Sequence, residues 1–116
     1  MSRLPNAEGA IVEEHKLTGY LLSFSHLAGR SKAGFFQQVG FQPQSWQQLR
    51  AALLRHAREN TFTRSENTPF GTKYIVEGPL PTPDGRNRKV RSVWFVEAGE
   101  KWPRFVTAYP LRGERS

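Results

Sequence analysis

The sequence predicts an α+β domain with two to three N-terminal helices packed on one face of a four-stranded antiparallel meander sheet. Three observations predict it. Apolar residues recur at helical spacing only before about residue 60. Beyond it, β-branched and aromatic residues run at period two between Gly, Pro and Asp turn signals. Aromatics make up 12% of the chain and spread over its whole length, as a packed core requires. A chain of 116 residues has room for one such core, so residues 4–111 are expected to form one domain, with 1–3 and 112–116 as loose ends.

The first helix is expected from about Glu13 to Leu22, because Leu17, Tyr20, Leu21 and Phe24 recur at helical spacing behind the acidic Glu13 and Glu14. Ser25-His26-Leu27-Ala28-Gly29 interrupts the pattern. Ser31 can then cap a second helix carrying Lys32, Ala33, Phe35 and Phe36 to a stop at Gly40. Pro43 suits a helix N1 position, and Trp46, Leu49, Leu53 and Ala57 form the apolar stripe of a third helix that reaches about Arg58. Four strands follow, at about Thr61–Asn67, Thr72–Gly78, Lys89–Glu97 and Arg104–Pro110. Pro83-Asp84-Gly85-Arg86 is the turn of a hairpin between the second and third.

Composition then narrows the chemistry. Lys and Arg number 17 against 10 acidic residues, a net charge of +7, which draws polyanions, RNA above all. The excess is 7 over 4 in residues 1–60 and 10 over 6 in residues 61–116, so it belongs to the whole chain and not to a tail. With no cysteine, a thiol nucleophile, zinc ribbon, disulfide or iron–sulfur cluster is unavailable. Asp84 is the only aspartate and sits in a turn, which disfavours a two-metal site or a Ser-His-Asp triad. His15, His26 and His56 match no common metal spacing, and Gly29-Arg30-Ser31-Lys32 is too short for a Walker loop. No metal and no cofactor is expected. The longest apolar runs are far short of a membrane span and the N-terminus lacks a signal peptide's apolar core, which makes the cytoplasm the default location.

Cleavage of RNA by its own 2′-hydroxyl needs only a base, an acid and cations for the phosphate, and His, Lys and Arg supply all three. His26 precedes Arg30 and Lys32 at a helix start, where amides and the helix dipole favour phosphate. The alternative is that His26 caps the first helix while Arg30 and Lys32 are solvated surface. His15 and Lys16 form a second choice, and His56 reads as a surface imidazole within a helix. On the sheet, Arg86, Arg88, Lys89 and Arg91 cluster across the hairpin, with Trp94, Trp102 and Tyr109 as possible base-stacking partners. Period-two alternation puts Val90, Ser92, Trp94 and Val96 on the core face and Arg91 on the other.

The segments His15-Lys-Leu-Thr-Gly-Tyr-Leu-Leu22, His26 with Gly29-Arg-Ser-Lys-Ala33 and Phe35-Phe36, Gly71-Thr-Lys-Tyr-Ile-Val-Glu-Gly-Pro79, Val90-Arg-Ser-Val-Trp94 and Pro103-Arg-Phe-Val-Thr-Ala-Tyr-Pro110 carry a resemblance. Together they resemble a bacterial domain-of-unknown-function family, over roughly Leu4 to Pro110. That family in turn resembles, more loosely, the barnase/EndoU/colicin/RelE-like superfamily of metal-independent RNase toxins. The resemblance implies His26 as acid or base, Lys32 and Arg91 on the phosphate, and Thr107 and Tyr109 positioning it or donating a hydrogen bond. Arg30, Arg86, Arg88 and Lys89 would then bind RNA, and an acidic antitoxin or immunity protein would be a partner. The chain departs from similar domains at Leu27, where they often have Pro, and at Ser92, where they often have Thr; both changes leave the chemistry possible.

The leading expectation is therefore a toxin-like endoribonuclease, acting in the cytoplasm or as the delivered C-terminal module of a longer protein. The alternatives are a non-catalytic nucleic-acid-binding module and an interaction domain that docks an acidic partner.

Overall fold

The strands form as the alternation requires. In a computed structural model that describes residues 3–27 and 29–111, β1 (Phe62–Thr68), β2 (Gly71–Pro79), β3 (Lys89–Glu97) and β4 (Arg104–Pro110) pair antiparallel in the order β1-β2-β3-β4. Of the ends expected to be loose, residues 1, 2 and 112–116 lie outside the described residues; Arg3 bridges to Thr61 and donates from Nη1 to the Arg58 carbonyl at 2.5 Å. The β2–β3 connection turns at Pro83-Asp84-Gly85, where Gly85 takes a φ of 78° and its amide bonds the Thr82 carbonyl. Asp84 accepts from the Thr82 hydroxyl at 2.7 Å and the Arg86 amide at 3.0 Å, and these bonds hold its carboxyl below the usual range.

The two faces of the sheet differ in chemistry. Val76, Ser92 and Ala108 stand opposite one another on the core face and are fully buried, while Glu77, Arg91 and Tyr109 make the next cross-strand row, on the outer face. Pairing slips between Val93 and Trp94, which leaves Val106 as an extra residue in β4. At its start, β4 is flanked by the N-terminal segment: the Ile11 amide donates to the Pro103 carbonyl and the Ile11 carbonyl accepts from the Phe105 amide, both at 2.8 Å.

The helices precede the sheet in the chain, and with the loops between them they supply most of the core. The expected continuous helix from Glu13 to Leu22 is instead an α-helical turn, α1 (Glu14–Lys16), running into a π-helical turn, Leu17–Leu21, closed by the Leu22 amide on the Leu17 carbonyl at 2.8 Å. The wider turn carries Leu17, Leu21 and Leu22 inward together, all at most 2% exposed, which an α-helical period does less well. Phe24, expected on the same apolar stripe, falls beyond the helix and is exposed.

Helix α2 (Arg30–Gln38) begins one residue before the expected cap. Ser31 lies within its exposed first turn, and the His26 carbonyl receives the Gly29 and Arg30 amides instead. Gly29 is required there because a Cβ would collide with the Tyr20 carbonyl. Helix α3 (Trp46–Glu59) follows a 3₁₀ turn that Pro43 opens, and it packs on the core face of β2 and β3 through Leu49, Leu53 and Ala57. α1 and α2 pack against β4 instead.

His56 corrects the surface reading: it is 0% exposed and bridges α3 to the sheet. Its Nε2 donates to the carbonyls of Gly78 (3.0 Å) and Val90 (3.1 Å), so its Nδ1 accepts from the Ser92 hydroxyl at 3.0 Å. Ser92 Oγ in turn accepts the Trp94 indole N–H at 2.8 Å. Burial outweighs these carbonyl bonds and lowers the pKa of His56, so it is a neutral structural imidazole.

Candidate functional site

The π turn brings Lys16 and Tyr20 onto one face, beside β4. There His15, Lys16, Gly19, Tyr20, His26, Val106 and Thr107 line a cleft of about 450 Å³. The Tyr20 hydroxyl lies 2.8 Å from Thr107 Oγ1, and Lys16 Nζ donates to the Val106 carbonyl at 3.4 Å, so each helix residue is tied to β4. The bulge explains why adjacent Val106 and Thr107 both reach the cleft.

Tyr20 is the hub of this arrangement. Its ring meets His26 edge to face at 5.0 Å, with Lys16 Nζ 5.9 Å and Lys32 Nζ 5.5 Å from its centroid. The Gly29 amide donates to His26 Nδ1 at 3.2 Å as well as to its carbonyl, which anchors the ring to the start of α2. The cleft therefore combines two exposed imidazoles, two ammonium groups, a phenol and a hydroxyl, the group types that proton transfer beside a bound anion needs.

Of the sequence-predicted residues, His26, His15, Lys16 and Thr107 thus meet in one cleft. Lys32 and Tyr109 line an adjoining hollow with Ser31 and Pro110, and Lys32 reaches the cleft through Tyr20. Arg91 stands opposite Tyr109, 5.8 Å from its ring centroid, and forms an ion pair with Glu77; hydrogen bonding to Tyr109 and Glu77 raises the guanidinium pKa above its ordinary value. A partnered Arg91 steadies Tyr109 more readily than it clamps a phosphate. Arg30 is exposed at the α2 start, where its amide bonds the His26 carbonyl.

Of the hairpin cluster, Arg88 reaches α2, where it lies over Phe35 at 5.6 Å, one turn from Lys32. Arg86 pairs with Asp84 at 3.5 Å, and the Lys89 carbonyl accepts the Leu111 amide beyond β4. Cations on the outer sheet face also meet carboxylates: Lys73 with Glu66 at 3.2 Å and Arg104 with Glu13 at 3.3 Å. The other proposed stacking residues are occupied elsewhere, Trp94 in the core against Phe105 and Trp102 against Gly9.

Sequence reasoning placed Tyr20 on an apolar stripe and so missed it. The available signal was its position four residues after Lys16 and beside Gly19, an amphipathic ring next to a cation. Among the described residues no three of His, Cys, Asp and Glu come together as a metal would require, and no helix is long and apolar enough to cross a membrane. A separate hollow between α3 and Pro81–Pro83 has Arg55 on its wall, but that guanidinium is held by Glu59 at 2.8 Å.

Comparison with known proteins gives two findings. The model of a family described as Domain of unknown function (DUF6883) matches residues 3–112. A chain of a solved contact-dependent growth inhibition toxin–immunity protein complex from Klebsiella pneumoniae 342 has the same fold, with a TM-score of 0.69 at 20% identity, over 92% of this chain and 97% of that one. No curated protein sequence matches.

Proposed function

The chain belongs to the DUF6883 family, and we propose that it is a toxin-like, metal-independent endoribonuclease whose reaction centre is the cleft between the π turn and β4. The observation that carries this reading is the meeting of His15, His26, Lys16 and Thr107 around one cavity large enough for part of a nucleotide. In the proposed reaction one imidazole takes the proton of the 2′-hydroxyl as that oxygen attacks phosphorus. The bond to the 5′-oxygen breaks, and the other imidazole protonates the leaving oxygen, giving a 2′,3′-cyclic phosphate and a free 5′-hydroxyl. Lys16 and Lys32 offset the charge that builds on the phosphate, and the Tyr20–Thr107 pair orients it.

The shared fold with a chain of a toxin–immunity complex supports a toxin role delivered into a target cytoplasm. The net charge of +7 supports both an RNA substrate and an acidic immunity protein that covers the cleft.

Incubation of the purified chain with transfer and ribosomal RNA in excess EDTA tests the reading. The expected result is fragments ending in cyclic phosphate, formed at least about a hundredfold more slowly by His26→Ala and His15→Ala. Salt-dependent binding with no cleavage would replace it with a non-catalytic RNA-binding module.

A further inference from the structure

The second hollow, of about 290 Å³, lies between the first turn of α2 and the end of β4, lined by Ser31, Lys32, Tyr109 and Pro110. It continues the histidine cleft: Lys32 Nζ sits beside the Tyr20 ring that lines the cleft, and Tyr109 follows Thr107 by two residues, on the same face of β4. We propose that this hollow binds the nucleotide adjoining the scissile phosphate, with the Tyr109 ring stacked on its base and Lys32 on the phosphate between the two nucleotides. This rests on the ribonuclease reading of the cleft.

Three features fit that ligand. A half-exposed aromatic ring and an ammonium group share one small cavity, which matches a unit made of a flat base and an anionic linkage. The ring is held before any ligand arrives, because Arg91 lies against it and is itself tied to Glu77, so little freedom is lost on binding. Beyond the hollow, Arg88 on Phe35 offers a further cation one turn along α2, so the strand has a continuous path from His26 to the hairpin. Lys32 and Tyr109 accordingly hold substrate, Arg91 braces the ring, and acid–base work stays with the histidines.

Fluorescence anisotropy at low salt with a trinucleotide of 2′-fluoro RNA, which lacks the attacking hydroxyl, measures this site without cleavage. The wild-type chain is compared on the intact ligand and on three versions that each lack one base. One missing base is expected to weaken binding about tenfold, the size of a single base–aromatic stack. Tyr109→Leu is expected to lose the same factor on the intact ligand and nothing more on that abasic one, while Tyr109→Phe binds as wild type. Wild-type affinity in Tyr109→Leu, or losses from variant and abasic ligand that multiply, would overturn the proposal. Should Tyr109→Leu fail to fold by circular dichroism, the wild-type abasic series decides alone, and no position costing more than twofold overturns it. A chain that binds with this base dependence yet cuts no RNA refutes the ribonuclease reading and not the nucleotide site; a chain that cuts RNA with no base dependence refutes the site alone.

Discussion

The hydroxyl of Tyr20 meets Oγ1 of Thr107 across 87 residues of sequence, at 2.8 Å, and this bond ties the π turn to β4 along the floor of the cleft. Tyr20→Phe keeps the ring between Lys16 and Lys32 but removes the bond. Stability is expected to fall by about 1 kcal/mol, the usual net worth of one hydrogen bond, as read from urea unfolding. RNA cleavage should fall by roughly tenfold with substrate affinity nearly unchanged, since the lost bond orients and does not attract.

His15 and His26 are both exposed, but His26 also bonds the Gly29 amide and meets the Tyr20 ring. Alanine at His15 should leave the unfolding free energy within about 0.5 kcal/mol of wild type, alanine at His26 should cost about 1 kcal/mol, and each should slow cleavage by roughly 10²- to 10⁴-fold, far more than the stability change explains. The double variant should lose less than the product of the two, because an acid and a base that act in one transition state are not additive. Single-turnover cleavage of a labelled RNA reads this directly.

His56 makes stability depend on pH. Its folded pKa lies below the value of 6.5 expected of the unfolded chain, through burial, so between the two values the unfolded state binds more protons. The stabilisation is complete above about pH 6.5 and is lost as pH falls through that value toward the folded pKa. Urea midpoints measured from pH 7.5 down to 5 should decline in the wild type and flatten in His56→Gln.

Ser92 serves two partners at once, accepting from Trp94 and donating to His56. Ser92→Ala leaves both buried groups unsatisfied, and should cost about 2–4 kcal/mol by denaturant unfolding. Ser92→Thr retains the hydroxyl and should recover most of that loss, limited by the room for one methyl group.

Gly29→Ala drives a Cβ into the Tyr20 carbonyl. The start of α2 must then move away from the π turn, carrying His26 and Lys32 with it. A lower melting temperature and a loss of cleavage greater than the loss of RNA binding are expected, because the shift disturbs alignment first.

The fold was legible because its signals are local. Period-two runs placed β3 and β4 at their observed ends, and Pro83-Asp84-Gly85 carried a turn whose φ and hydrogen bonds its own residues supply. Ser92 and Arg91 were assigned to opposite faces by parity alone, correctly. Helix one failed as an α-helix because three nearby leucines all gain by burial, a demand of the core that residue spacing does not reveal. His56 failed for a related reason: a histidine in a helix reads as surface until two strands bring carbonyls and a serine to it.

The sequence by itself determined the architecture, the strand order and the basic character, and it supplied His15, Lys16, His26 and Thr107, since these follow from composition, periodicity and the resemblance. Tertiary structure alone decided that those four meet in one cleft, that Tyr20 stands at its centre, and that Arg91 is held by Glu77 while Arg88 comes to lie beside α2. The physical reason is distance along the chain. Local propensity fixes where a helix or strand forms, whereas the approach of the π turn to a strand some 90 residues later depends on how leucines and aromatics fill one shared core.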